Sequence, residues 1–158
     1  MANTQAMTTS FMGELMTATH NFGVAPIRAA TTADTFKGAL YLTTATVNAS
    51  TTAYSVTNEV SGTGYTPGGV TVTFGTAPTA TNSSATAGVA FVTPSASITY
   101  TTVTLATAFD AVLIYNSTQT NKAVSVHTFG SQTVTAGTFT LTMPANTTST
   151  ALIRLATT

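Results

Sequence analysis

The stretch that decides the fold runs Ile98-Thr-Tyr-Thr-Thr-Val-Thr-Leu-Ala-Thr-Ala-Phe-Asp-Ala-Val-Leu-Ile-Tyr115. Its first half alternates apolar residues with threonine, which is the period of a β-strand with one apolar face. The apolar face changes between Tyr100 and Val103, and this change predicts a β-bulge. Residues 111–115 are apolar at every position, so they predict a central strand that is buried on both faces.

Shorter segments with the same alternation flank this stretch on both sides. Turns rich in Gly, Pro and Asn separate them, chiefly at 61–69 and 116–121, and residues 76–88 predict a loop. The predicted strands outside the opening stretch are 36–42, 53–59, 70–74, 88–92, 123–129, 139–143 and 152–155. The pattern predicts an all-β fold, an antiparallel β-sandwich or jelly roll of about eight strands. We expect its core to contain Phe74, Leu113, Val124, Phe139, Leu141 and Leu152.

The first 33 residues differ from the rest, and we predict a division into a helix and arm at 1–33 and a β-sandwich domain at 34–158. A short helix is predicted over 8–18, with Ser10 as its N-cap. Residues 21–30 predict an extended arm that contains Gly23 and Pro26. The helix carries an apolar stripe formed by Phe11, Met12, Leu15 and Met16.

The composition excludes several classes of partner. Charged residues are 5% of the 158, the formal net charge is zero, and threonine is about a quarter of the chain. Four scattered cations build no basic patch, so we expect neither nucleic acid nor a membrane surface as a partner. No cysteine is present, which rules out disulfides and thiolate metal sites. A chain with a net charge near zero associates readily, so the composition favours a structural protein that works within an assembly.

Catalytic and metal-binding residue types are scarce and scattered. The only histidines are His20 and His127, and Asp34 and Asp110 are the candidate partners for them. No spacing typical of a catalytic triad or a metal site occurs. We therefore predict that the protein is not an enzyme and has no catalytic residues, no cofactor and no metal. Tyr65 is the one large residue in the glycine-rich turn, where it is either a contact residue or a local packing anchor.

Several segments resemble a family of small virion proteins of tailed bacteriophages. They are 34–37, 47–54, 58–69, 113–119, 121–124 and 136–141, of which 58–69 reads Asn-Glu-Val-Ser-Gly-Thr-Gly-Tyr-Thr-Pro-Gly-Gly. The resemblance implies a structural protein of the particle, with no catalytic residues. It implies a capsid decoration or cement protein on the outer surface of the virion, with the major capsid protein as its partner. The alternative within the resemblance is a neck or tail protein.

Two further expectations concern binding. A glycan-binding module on the virion surface is the rival from a different functional class. Whatever the partner, the short helix needs burial to be stable. We therefore predict contact with the capsid protein or with other copies of the chain in a homo-oligomer, although the underside of its own sandwich is an equal alternative. The candidate interface residues are Phe11, Met12, Leu15, Met16 and Tyr65.

Overall fold

The protein is all-β, as its alternating pattern predicts. The computed structural model describes residues 3–8, 11, 15, 19, 20, 22, 33–81 and 88–156. These residues form two sheets in which every strand pair is antiparallel, and they contain almost no helix. The strands are β1 (Ala6–Met7), β2 (Phe36–Leu42), β3 (Val70–Val72), β4 (Thr79–Thr81), β5 (Val89–Val92), β6 (Ile98–Asn116), β7 (Lys122–Leu141) and β8 (Ile153–Ala156).

The chain divides into two compact units, each built on one sheet. The first unit consists of Met1–His20, Asp34–Val72 and Ile98–Leu141, and its sheet has the order β1-β7-β6-β2-β3. The second consists of Asn21–Ala33, Thr73–Ser97 and Thr142–Thr158, and its sheet has the order β4-β5-β8. The division into 1–33 and 34–158 that we drew from the sequence stays a prediction.

Strand β2 lies between β3 and β6 in the sheet of the first unit. Its bounds are those predicted from the sequence. It pairs with β6 from Phe36 opposite Asn116 to Leu42 opposite Phe109, with a register shift after Tyr41. On one face of this sheet, Ala39, Tyr41, Leu113 and Val126 belong to a fully enclosed apolar cluster.

Strands β6 and β7 form one long antiparallel ribbon. The separate strands predicted within 98–115 belong to the single 19-residue β6, and those at 123–129 and 139–143 largely merge into the 20-residue β7. The bulge predicted between Tyr100 and Val103 is confirmed by a register shift at that place. The connecting turn is also confirmed, and it places Thr120 and Asn121 at positive φ.

The ribbon is sharply bent. The ring centroids of Phe129 and Phe139 are 5.2 Å apart, although ten residues of straight strand would separate them by about 33 Å. Phe109 makes edge contacts with both rings, at 6.0 and 5.0 Å. Positive φ at Gly130 and Ala136 allows the bend. The distal half of the ribbon therefore folds back, and it encloses Phe109 completely.

Other sequence predictions need correction. Residues 53–59 are not a strand, since they make only isolated bridges, from Ala53 to Lys122 and from Glu59 to Tyr41. The predicted loop at 76–88 contains β4. Of the expected core, Phe74, Leu113 and Val124 are buried. The other three, Phe139, Leu141 and Leu152, are only half-buried.

The N-terminal predictions fall largely outside the described residues. Phe11 and Leu15 have helical backbone conformation, but no complete helix is present in the part of the chain that the structure describes. Met12, Met16 and, of the predicted arm at 21–30, every residue except Phe22 lie outside that part. Phe11 is 0% exposed and packs edge-on against His20 of the same unit, at 4.9 Å between ring centroids.

Candidate functional site

The densest group of functional side chains in the described part of the protein is the Glu59 carboxylate surrounded by tyrosine hydroxyls. All five tyrosines of the chain lie near Glu59, which is 9% exposed. They are Tyr41, Tyr54, Tyr65, Tyr100 and Tyr115. We call this set the tyrosine cluster. A buried carboxylate needs donors on both oxygens, because burial without them costs several kcal/mol, and the cluster supplies them.

Three donors converge on the Glu59 carboxylate. Its Oε1 accepts hydrogen bonds from the Tyr65 hydroxyl and from the backbone N–H of Gly68, both at 2.7 Å. Its Oε2 accepts one from the Tyr54 hydroxyl, also at 2.7 Å. These distances are typical of charge-assisted bonds, which are about twice as strong as neutral ones.

The backbone places Glu59 at this point. Asn58 has a φ of 59°, a left-handed conformation that Asn tolerates better than most residues, and it reverses the chain just before Glu59. The next residue, Val60, then donates its N–H to the carbonyl of Leu40 in β2 at 2.9 Å. Glu59 is thereby held beside β2.

The remaining phenols bond to backbone carbonyls around the carboxylate. Tyr115 donates to Gly68 at 2.9 Å, and Tyr100 donates to Gly38 at 2.7 Å. Tyr41 donates to Ser55 at 2.5 Å. The rings also stack in pairs, Tyr54 on Tyr115 at 4.6 Å and Tyr65 on Tyr100 at 5.8 Å. The cluster therefore fastens the loop from 54 to 68 to strands β2 and β6.

Burial governs the protonation of the phenols. It raises the pKa of Tyr41 and of Tyr115 from 10 to about 12, and the negative charge of Glu59 adds to the effect. The pKa values of Tyr54, Tyr65 and Tyr100 are raised further, again chiefly by burial. All five hydroxyls therefore stay protonated at neutral pH and act as donors, which makes the cluster a structural network and a poor source of general bases.

We expect the fold to lose stability at alkaline pH. A raised folded pKa means that the contribution of the protonated phenols is complete below pH 10, the pKa in the unfolded chain, and is lost as the pH rises toward 12. Urea titrations at several pH values should show the free energy of unfolding falling across this window. Tyrosinate absorbance should rise together with the loss of far-UV circular dichroism. Ionisation of all five tyrosines near pH 10 with the fold intact would contradict the expectation.

The glycine-rich turn presses against β6. A Cβ on Gly62 would lie 2.1 Å from the Thr104 carbonyl oxygen, and one on Gly64 would lie 2.2 Å from that of Thr102. Between them, Thr63 bridges to Thr104. Only glycine fits at these two positions, because the backbone of the turn lies too close to the backbone of β6 for a Cβ. Tyr65 is buried here and donates to Glu59, so it packs locally, and its role in a partner interface stays a prediction.

One predicted base and its candidate partner do come together. His20 is 8% exposed, and its Nδ1 lies 3.1 Å from the side-chain nitrogen of Asn116, which also donates to Asp34 at 2.8 Å. The Asn116 oxygen accepts from the backbone N–H groups that follow it in the turn. The fully buried Asn116 amide connects His20 with Asp34 and lies at the end of the β6–β7 ribbon. The arrangement therefore serves to hold the turn in place.

The second histidine pairs with a buried serine. The Ser125 hydroxyl lies 2.9 Å from His127 Nε2, and burial lowers the pKa of His127 from 6.5 to about 4. Ser125 is 2% exposed, so a substrate cannot reach its oxygen. Asp110 accepts a hydrogen bond from Asn3 at 2.5 Å. Sequence reasoning missed the Ser125–His127 contact, for which the only available signal is that residues two apart share a strand face.

The second unit contains an open depression of about 290 Å³. Its lining is mainly hydroxyl and small apolar groups: Thr76, Thr93, Pro94, Ser95, Ala96, Ser97, Met143, Pro144 and Asn146. The buried Thr93 hydroxyl is engaged, since it accepts from the N–H of Leu152 at 2.9 Å. This lining lacks the aromatic platform that we expect in a glycan-binding site.

Within the described ranges, no three His, Cys, Asp or Glu side chains lie close enough together to hold a metal ion. The described residues also contain no helix that is both long and apolar enough to cross a membrane. Comparisons with protein-family models, with curated proteins and with solved structures find no match for this chain. The resemblance to phage virion proteins therefore stays a prediction.

Proposed function

We propose that the protein is a structural component of a phage particle, an antiparallel β-sandwich that decorates the outer face of the head. Its partner is the lattice of the major capsid protein. Its work is mechanical, because a subunit that bridges neighbouring capsomers adds buried contact area where an internally pressurised shell would otherwise separate. An interface of about 1,600 Å² is enough for specific binding, and repetition over the shell multiplies the effect.

The observation that carries the proposal is that the described acidic side chains accept hydrogen bonds from the protein itself. Every described carboxylate accepts hydrogen bonds within its own unit: Asp34 from Asn116 and Gln119, Glu59 within the tyrosine cluster, and Asp110 from Asn3. With four acidic and four basic residues in the chain, and Glu59 buried, few charges remain for the surface. Such a surface suits permanent contact through packing and backbone hydrogen bonds better than it suits life as a free, charged monomer.

Cryo-electron microscopy of the particle that contains this chain tests the proposal. We expect its density on the outside of the head, at repeated lattice positions. Density confined to the neck or tail would replace this proposal with the alternative location in the virion. Binding to a glycan array, together with absence from the shell, would favour the glycan-binding module instead.

We further expect attachment to the shell to depend only weakly on salt. With so few charged groups, screening removes little of the binding free energy, and exposed ion pairs contribute about 0–1 kcal/mol in any case. Particles that lack the protein can be mixed with purified chain at low and moderate salt, and the bound fraction compared after sedimentation. A steep loss of occupancy with added salt would contradict attachment through uncharged contacts.

A further inference from the structure

Strand β7 has one open edge. On its inner side it pairs with β6 along its length. On its outer side β1 covers only two residues, with Ala6 opposite Val126 and Met7 opposite Ser125, and Thr8 extends this contact to Val124. None of the described residues pairs with the outer edge from His127 to Leu141.

This open edge lacks the usual protection against strand pairing. Natural edge strands carry lysine, other charges or proline, which prevent another strand from adding. Residues 127–141 contain no charged residue and no proline. Two conformational breaks, at Gly130 and Ala136, divide the edge and leave Gly137–Leu141 as its last unbroken segment.

The side chains of this segment alternate between an exposed polar face and a half-buried apolar face. Thr138 and Thr140 are exposed. Phe139 and Leu141 alternate with them and are half-buried, although both are strongly apolar. Phe139 contacts Tyr100 and Phe109 on its inner side, at 6.1 and 5.0 Å between ring centroids. A further strand beside β7 would cover the apolar area that remains.

We propose that the outer edge of β7 binds the same edge of a second copy of this chain, in an antiparallel pair centred on Gly137–Leu141. Backbone N–H and C=O groups of an edge are satisfied by another strand, which is the chemistry of β-augmentation. A two-fold pair covers the open edges of both copies in one contact, whereas an unrelated protein would have to supply an open edge of its own. Zero net charge and an uncharged edge mean that no like-charge repulsion opposes the pairing.

This inference is independent of the proposed function, because it concerns the isolated chain in solution. Sedimentation velocity over a wide range of concentrations should show a monomer–dimer equilibrium for the wild type. Thr138→Lys places like charges on both edges and removes no internal contact that the structure shows, so we expect it to weaken dimerisation roughly tenfold or more. The matched control is Thr71→Lys, which adds the same charge at an exposed site on β3, the strand at the opposite edge of the sheet.

Hydrogen exchange gives a second readout of the same edge. Amides within residues 137–141 should exchange more slowly in the wild-type dimer than in the monomer, and Thr138→Lys should abolish the difference. The control variant should keep both the dimer and the protection. The proposal is overturned if the wild type stays monomeric at every concentration, if Thr138→Lys dimerises as well as the wild type, or if Thr71→Lys disrupts the dimer equally. Urea unfolding of both variants confirms that each is folded.

Discussion

Replacing Gly69 with alanine should be among the most destabilising single substitutions in this protein, at a cost of about 4 kcal/mol or more. Gly69 has a φ of 71°, and a Cβ added there would lie 1.7 Å from the carbonyl oxygen of Gly38 and 2.9 Å from the Cα of Ala39. Both atoms belong to the backbone of β2, which is paired on both sides and cannot give way. The substitution would therefore separate β3 from β2 or distort β2.

The matched control for this prediction is Gly130→Ala. Gly130 has a similar φ of 77°, but a Cβ there would meet nothing within 4 Å. The left-handed conformation alone costs an alanine about 1–2 kcal/mol, so the control measures that part separately. Urea unfolding followed by circular dichroism gives both free energies. Equal losses for the two variants would show that backbone conformation, and not the contact with β2, accounts for the effect.

Glu59→Ala should be the second large loss, at roughly 3–5 kcal/mol. The variant leaves the Tyr65 hydroxyl and the Gly68 N–H without the acceptor to which both now donate at 2.7 Å. Each buried donor left unsatisfied costs about 1–3 kcal/mol, and the shortened side chain adds a cavity. Tyr54 is less enclosed than Tyr65, so water can replace its lost bond at smaller cost.

Two variants separate hydrogen bonding from packing at this site. Glu59→Gln keeps the shape and one acceptor oxygen, so we expect it to cost about 1–2 kcal/mol, well below the alanine variant. Tyr65→Phe combined with Glu59→Ala should be strongly non-additive, with a coupling energy of about 0.5–3 kcal/mol, because both substitutions remove the same bond. Additive losses, or a Gln variant as unstable as the Ala variant, would contradict the central role of the carboxylate.

The parts of the fold that were predicted well depend on local information. The bounds of β2, the bulge after Tyr100 and the turn after Asn116 all follow from the alternation of neighbouring residues or from turn-forming residues. The sequence predicts an alternating strand at 98–105 and a strand buried on both faces at 111–115. Pairing with a single partner strand joins them, and shifts in register absorb the change of face.

The candidate site was the least predictable part. Glu59 and the five phenols lie on segments between residues 41 and 115, and no sequence spacing links them. The one available signal was an isolated acidic residue beside a glycine-rich turn that contains Tyr65, in a chain with few charges. The candidate helix residues Met12 and Met16 lie outside the described residues, so their role in a partner contact stays a prediction.

By itself, the sequence determined that this protein is all-β and antiparallel, because a period of two and turn chemistry are properties of neighbouring residues. Only the tertiary structure decided that the β6–β7 ribbon folds back around Phe109, and that Glu59 lies among the phenols. These features depend on contacts between distant segments, such as Tyr100 with Gly38 and Gly69 with β2. Their stability comes from removing apolar rings and one carboxylate from water together, a balance that local pattern does not encode.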